Sequence, residues 1–513
     1  MSEAVVLNLV LWLPVVGALL IPLLPRERDA PVYTLAFAVM LVQLLLVIWL
    51  FVRFESGVSG LQFATQIPWI AAWGVAYHIG LDGLNLLLVL LTALLGPLVV
   101  AGAVRTITHS VKLFYAMLLV LQFAMLGTFL AQNLFLFYLF WEAMLIPMFL
   151  IIGIWGGERR IYATVKFVLY TAFGSIFMLV AVIYLGLAAH AAQGAPSFAF
   201  SDLYALELAL PVQTLLLLAF TLAFLIKIPS IPLHTWLPDA HVEAPSPGSV
   251  MLAGVLLKMG AYGFLKLGLP MLPEAAKLFT PVLMSLAVAS IIYGALLAWV
   301  QDDIKKIVAY SSISHMGYVM LGLLSYELLG IQGAIMQMVS HGLISAGLFF
   351  MVGMLYERTH HRELAVFGGL AKWMPVYALF FMLLALASVG LPTTSGFTGE
   401  FLVLLGAFYG AWPAFVQGES HYALILASLA VLGVILGALY MLRLVRRLLF
   451  GPAQAPGGQP ADLSRRERMI LATLVLAIFT LGIYPKPFLH KTEQAALDYQ
   501  RLLLEPTPAQ EGL

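Results

Sequence analysis

Apolar runs of about 20 residues follow one another along nearly the whole chain, the length an α-helix needs to cross the ~30 Å hydrocarbon layer of a bilayer. Inside that layer no water serves the backbone N–H and C=O groups, so each crossing segment must satisfy them internally. Many of the runs are apolar all round, as lipid-facing or bundle-interior helices are. Composition agrees: 62% of the 513 residues are hydrophobic, 10% are charged, and mean hydropathy is +1.00. A soluble domain is closer to half apolar and a quarter charged. By length and hydropathy, about fourteen spans lie near 5–24, 32–52, 84–104, 113–131, 134–155, 164–188, 212–229, 249–268, 278–299, 304–323, 328–356, 374–392 with 397–411, 421–442 and 469–485. The expected fold is an all-α polytopic membrane protein. No basic segment precedes the first run and no cleavage site follows it, so Val5–Leu24 reads as a retained span rather than a signal peptide.

Net charge is +1, which points to no nucleic-acid partner. There are 0 cysteines, which excludes disulfides, cysteine-ligated iron–sulfur clusters and covalently attached haem. If electrons matter, they move in another chain. Lys and Arg orient the bundle. With the N-terminus outside, the loops assigned to the cytoplasm hold about 17 of them, including Arg26, Arg28, Arg159, Arg160, Lys305 and Lys306, against about 6 on the opposite face, including Lys266. Both termini are therefore expected on the periplasmic or equivalent outer side. The Gly/Pro-rich stretch 451–464 reads as a flexible linker, and the residues after Leu489 as a short polar tail.

Four charges stand out at mid-span, where each costs about 2.5–3.5 kcal/mol on insertion scales. They are Glu142, Lys227, Lys258 and Glu400. Burial favours the neutral form of an ionisable group and an opposite charge restores ionisation. A buried lysine is thus able to take up and release a proton near neutral pH. Two acids and two bases at mid-membrane make a candidate proton relay; the alternative is a set of structural ion pairs that fix helix packing.

Two of these charges stand beside helix breaks. Lys227 is followed by Ile228-Pro229-Ser230-Ile231-Pro232, and Glu400 follows Gly390-Leu391-Pro392-Thr393-Thr394-Ser395-Gly396. Proline removes a backbone donor and opens a helix. Such breaks persist at membrane depth only where protein or water satisfies the freed groups. The spans within 113–268 and 278–442 number five each, and the broken span is fourth in each set. Five is odd, so the second set enters from the other side, as inverted-repeat transporters do. The predicted organisation is a three-helix region over 1–111, five-helix repeats over 112–269 and 270–448 with discontinuous seventh and twelfth helices, and a linker, last span and tail over 449–513. A plain proline kink is the alternative at either break.

Two other spans carry polar stripes. Ser311, His315 and Tyr318 share one helix face, and Gln337, His341 and Ser345 recur at i, i+4 and i+8. Histidine titrates near neutrality and shuttles protons. His315 and His341 are candidate relay groups, as are His234 and His241 just past the first break; hydrogen-bonded packing is the alternative for each. Lys166 is read as a possible cap at the cytoplasmic end of its span, Asp82 and the Asp302–Asp303 pair as N-terminal helix caps, and Lys305 and Lys306 as solvated orientation determinants.

Residues 227–263, KIPSIPLHTWLPDAHVEAPSPGSVMLAGVLLKMGAYG, and 301–318, QDDIKKIVAYSSISHMGY, resemble the antiporter-like subunits of respiratory complex I and of multisubunit cation/proton antiporters. The resemblance runs from about Leu81 to the last span. Glu400 in SGFTGEF stands where related subunits usually carry lysine, and the long lateral helix of subunit L is not expected. The resemblance implies fourteen helices with two inverted five-helix repeats. It implies that Glu142 modulates Lys227 on the seventh helix, that Lys258 is the central lysine of the eighth, that Glu400 is the acid at the outer exit, and that His315 and His341 lie on the hydrated axis. It implies no cofactor in this chain, and partners among the other complex I membrane subunits, neighbouring antiporter-like subunits included, within a bacterial plasma membrane or thylakoid. The expected function is proton translocation driven by quinone reduction elsewhere in the complex. The alternatives are a sodium/proton antiporter or membrane-bound hydrogenase subunit, and a structural membrane spacer.

Overall fold

Placement follows the hydropathy closely. In a computed structural model, residues 3–25 and 28–504 are described; Arg26 and the tail 505–513 lie outside them. Among the described residues twelve helices are long and apolar enough to cross a membrane, from Glu3–Leu23 to Tyr422–Leu449, and thirteen if Arg465–Ile483 and Lys486–Leu504, bent by 68°, are one span. Ile304–Leu323 has the length of a span but is too polar to count by composition. Pro375–Val389 is apolar but only 15 residues long.

Two helices are withdrawn from lipid along their whole apolar windows, Ser246–Gly268 and Leu328–Thr359. They carry Lys258 and His341, so the costly groups sit where protein rather than lipid surrounds them. Ser246–Gly268 is not uniformly α-helical: Leu252–Leu256 and Phe264–Gly268 are π-helical turns on either side of Lys258. Such turns free carbonyls and collect at functional sites.

Both predicted breaks are present. Leu210–Lys227 ends at Lys227, residues 228–235 are irregular, and Trp236–Glu243 is a short helix before Ser246. Pro375–Val389 and Ser395–Val416 are separated by residues 390–394, where Gly390 has φ 81° and Thr393 φ 84°.

Four features depart from expectation. The fold is not purely helical: Gln62–Ile70 and Val75–Leu81 form an antiparallel hairpin. Residues 490–504 are not a polar tail but part of the amphipathic helix Lys486–Leu504, which buries Thr492, Ala496, Tyr499 and Leu503 at helical spacing. That helix is tied across the bundle through Lys491 to the Phe54 carbonyl (2.7 Å) and Gln332 to the Leu489 carbonyl (2.9 Å). The 451–464 linker is anchored rather than loose. Gln454 exchanges backbone bonds with Gly368, and the Asp462 carboxylate accepts from the Val376 and Tyr377 amides. Lys266, counted as an outer loop cation, is buried inside the Ser246–Gly268 span.

Small residues let the second broken helix approach its neighbour. A side chain at Gly406 would fall on the backbone N and Cα of Gly330, and one at Gly399 on Gln337. Close approach at small residues is a principal source of helix association in lipid. Gly406→Val is therefore expected to lower the thermal unfolding midpoint of the detergent-solubilised protein, costing about 1–3 kcal/mol through overpacking. An unchanged midpoint would mean that this contact is not tight.

Candidate functional site

Lys258 is fully buried. Its ammonium donates to the carbonyl of Ala253, five residues back, an acceptor supplied by the π-helical turn. It also lies 2.7 Å from His341 Nδ1. A charged lysine has only donors, so His341 accepts at Nδ1 and carries its ring proton on Nε2. That Nε2 is buried without a hydrogen-bond partner. The imidazole of His315 follows, with ring centroids 5.6 Å apart.

His315 passes the line to Glu400. Its Nδ1 is 2.9 Å from Glu400 Oε1, and Gln337 Nε2 donates to the same oxygen at 3.3 Å. Around His315 Nε2 stand the hydroxyls of Ser388 at 3.4 Å and Tyr440 at 3.5 Å. Glu400 is 6% exposed, on the second turn after the break, where Gly390 leaves the space beside Oε2 open. Lys258, His341, His315 and Glu400 thus form one buried file. Ser388 and Tyr440, which the sequence reading did not single out, are joined to it by shape alone.

Lys227 is 1% exposed, and its ammonium has no hydrogen-bond partner. No ion pair within 4 Å joins it to Glu142, whose Oε1 is also buried and unpartnered. The face of the Trp141 ring lies 4.9 Å from the lysine nitrogen, and the indole is fixed by a 3.1 Å bond to Ser175 Oγ. A cation over an indole face gains about 0.5–2 kcal/mol. Trp141 went unread in the sequence; its position beside Glu142, the one acid of its span, was the available signal.

The remaining candidates separate. His241 is fully buried with neither ring nitrogen bonded, stacked on Phe349 at 4.5 Å and 9°. His234 is buried beside the first break, edge-on to Tyr293, and stands outside the file. Lys166 pairs with Asp239 at 2.7 Å instead of capping its helix. Asp82 accepts from the Leu84 and Asn85 amides ahead of a helix, as a cap residue does, and also forms a buried ion pair with Lys266. Asp303 caps Ile304–Leu323 as expected, while Asp302 pairs with Arg443 at 3.0 Å. Lys305 is a correction. It is buried rather than solvated, because its ammonium is drawn to the Ala244 carbonyl at 2.6 Å and the Val242 carbonyl at 3.3 Å, at the C-terminus of Trp236–Glu243.

His315 holds the shorter of the two bonds to Glu400. His315→Ala leaves a buried acid with one long partner, expected to destabilise the protein by about 1–3 kcal/mol. A thermal melt of the solubilised variant that matched wild type would show that the His315–Glu400 bond contributes nothing to stability.

Residues 131–425 match the family described as NADH:quinone oxidoreductase/Mrp antiporter, TM. NADH-quinone oxidoreductase subunit M of Rickettsia typhi is 42% identical over 499 residues, spanning 96% of this chain and 97% of its own length. Subunit M of Rhodobacter capsulatus is 45% identical over 491 residues, 93% of each chain. A chain of respiratory complex I from Thermus thermophilus superposes with TM-score 0.86 at 36% identity, covering 98% of this chain and 100% of that one. A chain of the Mrp complex from a Dietzia species has TM-score 0.82 at 20% identity over 99% of each, a likeness of fold.

Proposed function

The chain belongs to the NADH:quinone oxidoreductase/Mrp antiporter membrane family, as an antiporter-like M subunit of complex I, and from that premise we propose that its buried file is the proton path. The observation that carries the reading is the run Lys258–His341–His315–Glu400, linked by contacts of 2.7 Å and 2.9 Å around a pair of histidine rings. Each member exchanges a proton without a cofactor. Electron transfer takes place in other subunits, and this subunit works as part of a translocase among other membrane subunits.

In this account a proton reaches Lys227 from the cytoplasmic side. Glu142 attracts the charged lysine when the two close, while the indole of Trp141 holds the ammonium when they part. The proton moves on to Lys258, where His341 accepts at Nδ1. It crosses between the histidines and arrives on Glu400, beside the opened backbone at 390–394, from which water on the outer side takes it. His234 and His241 serve the approach to the file. Fourteen spans are proposed by adding Ile304–Leu323 and Arg465–Ile483 to the twelve, with Pro375–Val389 and Ser395–Val416 as the halves of the discontinuous twelfth. The organisation is then 1–111, inverted repeats 112–269 and 270–448, and 449–513. Charge bias places both termini on the outer face of a bacterial plasma membrane.

Lys227→Arg keeps the charge and the contact with Trp141 but does not deprotonate. It is expected to assemble and to lose about tenfold or more of quinone-linked proton translocation, the scale of a lost proton-transfer group. Glu400→Gln is expected to fall similarly and Glu400→Lys to retain a measurable fraction. A fully active Gln variant beside an inactive Lys variant would make Glu400 a structural cap. A fully active Lys227→Arg would leave the lysine a fixed charge and favour the spacer reading.

Orientation has its own check. A cysteine introduced at Gln459, in a chain with no native Cys, is expected to react with a membrane-impermeant thiol reagent only in inside-out vesicles. Labelling from the opposite face would reverse the direction of the path.

A further inference from the structure

A break in a membrane helix leaves backbone groups that lipid does not serve. At the first break, Pro229 and Pro232 have no N–H to place, so residues 228–232 present three amides. The Ile228 amide still reaches the Phe224 carbonyl at 2.8 Å, and the Ser230 amide reaches back five residues to Leu225 at 2.9 Å. The Ile226 carbonyl, freed by the break, accepts from Trp236 Nε1 at 2.8 Å. The third amide, that of Ile231, finds its acceptor on another element: Ser290 Oγ at 3.1 Å, from the helix Pro273–Trp299.

Ser290 is buried, and its hydroxyl is used to capacity. A serine hydroxyl has one proton and two lone pairs. The proton goes to the Leu286 carbonyl at 2.7 Å. Both lone pairs therefore accept, one from the Ile231 amide and one from the Ser230 hydroxyl at 3.1 Å. The helix that carries Ser290 is itself fixed against Ile304–Leu323, the helix of His315. Ser314 Oγ donates to the Ile291 carbonyl at 2.8 Å, and a side chain at Gly317 would fall on the Ala287 carbonyl and the Ile291 nitrogen. From the other side the helix of Lys258 closes in, since a side chain at Gly260 would fall on Lys227 Cβ and Ile228. The Lys227 ammonium has no hydrogen bond, so the station of this lysine is set through its backbone.

We propose that Ser290 is a positioning residue for Lys227, an anchor on Pro273–Trp299 that fixes where Leu210–Lys227 stops and so holds the lysine at its distance from Glu142. The anchor rests on the proton path proposed above. By gripping the Ile231 amide and the Ser230 hydroxyl, Ser290 keeps the ammonium over the Trp141 ring, with Glu142 beyond contact. Without the hydroxyl the Ile231 amide loses its acceptor, the stretch 228–232 shifts to find another, and Lys227 moves with it. Closer to Glu142 the lysine keeps its proton; farther away it loses the charge that attracts one. Either displacement slows transfer to Lys258.

The test measures quinone-linked proton translocation by the assembled complex in inside-out vesicles. Ser290→Ala is expected to lower it about tenfold, short of the roughly 10²-fold that a 1 Å misplacement of reacting groups costs. Ser290→Thr keeps the hydroxyl and is expected to retain most of it. Equal translocation by the Ala and Thr variants would overturn the anchor. Ser230→Ala removes one bond and leaves the Ile231 amide on Ser290, so it reads the anchor even if Ser290→Ala does not assemble. A fall of about threefold is expected there, the scale of one ordinary hydrogen bond, and wild-type translocation would likewise overturn the proposal. A cycle with Glu142→Asp, which keeps the acid but draws it back, separates positioning from packing. Residues that act through one distance are not additive, so Ser290→Ala is expected to cost a smaller factor in the Glu142→Asp background than in wild type. The same factor in both would make Ser290 a packing group and overturn its positioning role. Lys227→Arg measured alongside keeps the two proposals distinct. Loss there with full activity in Ser290→Ala defeats the anchor alone; full activity in both defeats the path itself.

Discussion

An ammonium group in hydrocarbon is the costliest common side chain this fold has to hold, and Lys258 sits at the centre of it. Desolvating an ion costs several kcal/mol even after relaxation, so the site depends on the acceptors that surround the ammonium. The π-helical turn at Leu252–Leu256 presents the Ala253 carbonyl, and His341 presents Nδ1. Both acceptors depend on helices that lipid does not reach. The position of Leu328–Thr359 depends in turn on glycine contacts with Ser395–Val416, which also bring Gln337 to Glu400. Packing at small residues, the π turn and the histidine file all converge on one buried charge.

Lys227 is held in the opposite way. It has an aromatic face and no hydrogen bond, with its acid partner beyond contact distance. A cation–π contact of about 0.5–2 kcal/mol offsets only part of a desolvation cost of several kcal/mol. Lys258 has two hydrogen-bond acceptors and Lys227 none, and that inequality suits a Lys227 that gives its proton up rather than storing it. The adjacency of Trp141 and Glu142 lets one short segment supply both the apolar and the ionic partner.

The spans were legible because length and hydropathy are local properties that the bilayer enforces. The breaks were legible because proline acts on its own helix. Tertiary burial of terminal cations was not. Lys305 and Lys266 look like loop charges to a count along the chain, and only folding brings the carbonyls of Val242 and Ala244 to one and Asp82 to the other. The role of Trp141 was hidden for the same reason, since an aromatic inside an apolar run is ordinary. The helix Lys486–Leu504 was missed although its signal was present: Thr492, Ala496, Tyr499 and Leu503 keep a helical period, masked by an average composition that is polar. The hairpin Gln62–Leu81 is masked in the sequence because its strands, nine and seven residues long, lie between apolar runs of spanning length that dominate the local hydropathy.

Lys258→Met isolates the charge, since it removes the ammonium that the π turn and His341 surround while keeping an unbranched apolar side chain nearly as long. The measurement is protons translocated per quinone reduced in inside-out vesicles, with assembly of the complex verified in the same preparation. Translocation through this subunit is expected to be lost while the complex remains assembled. A variant that assembles and translocates as wild type does would contradict it.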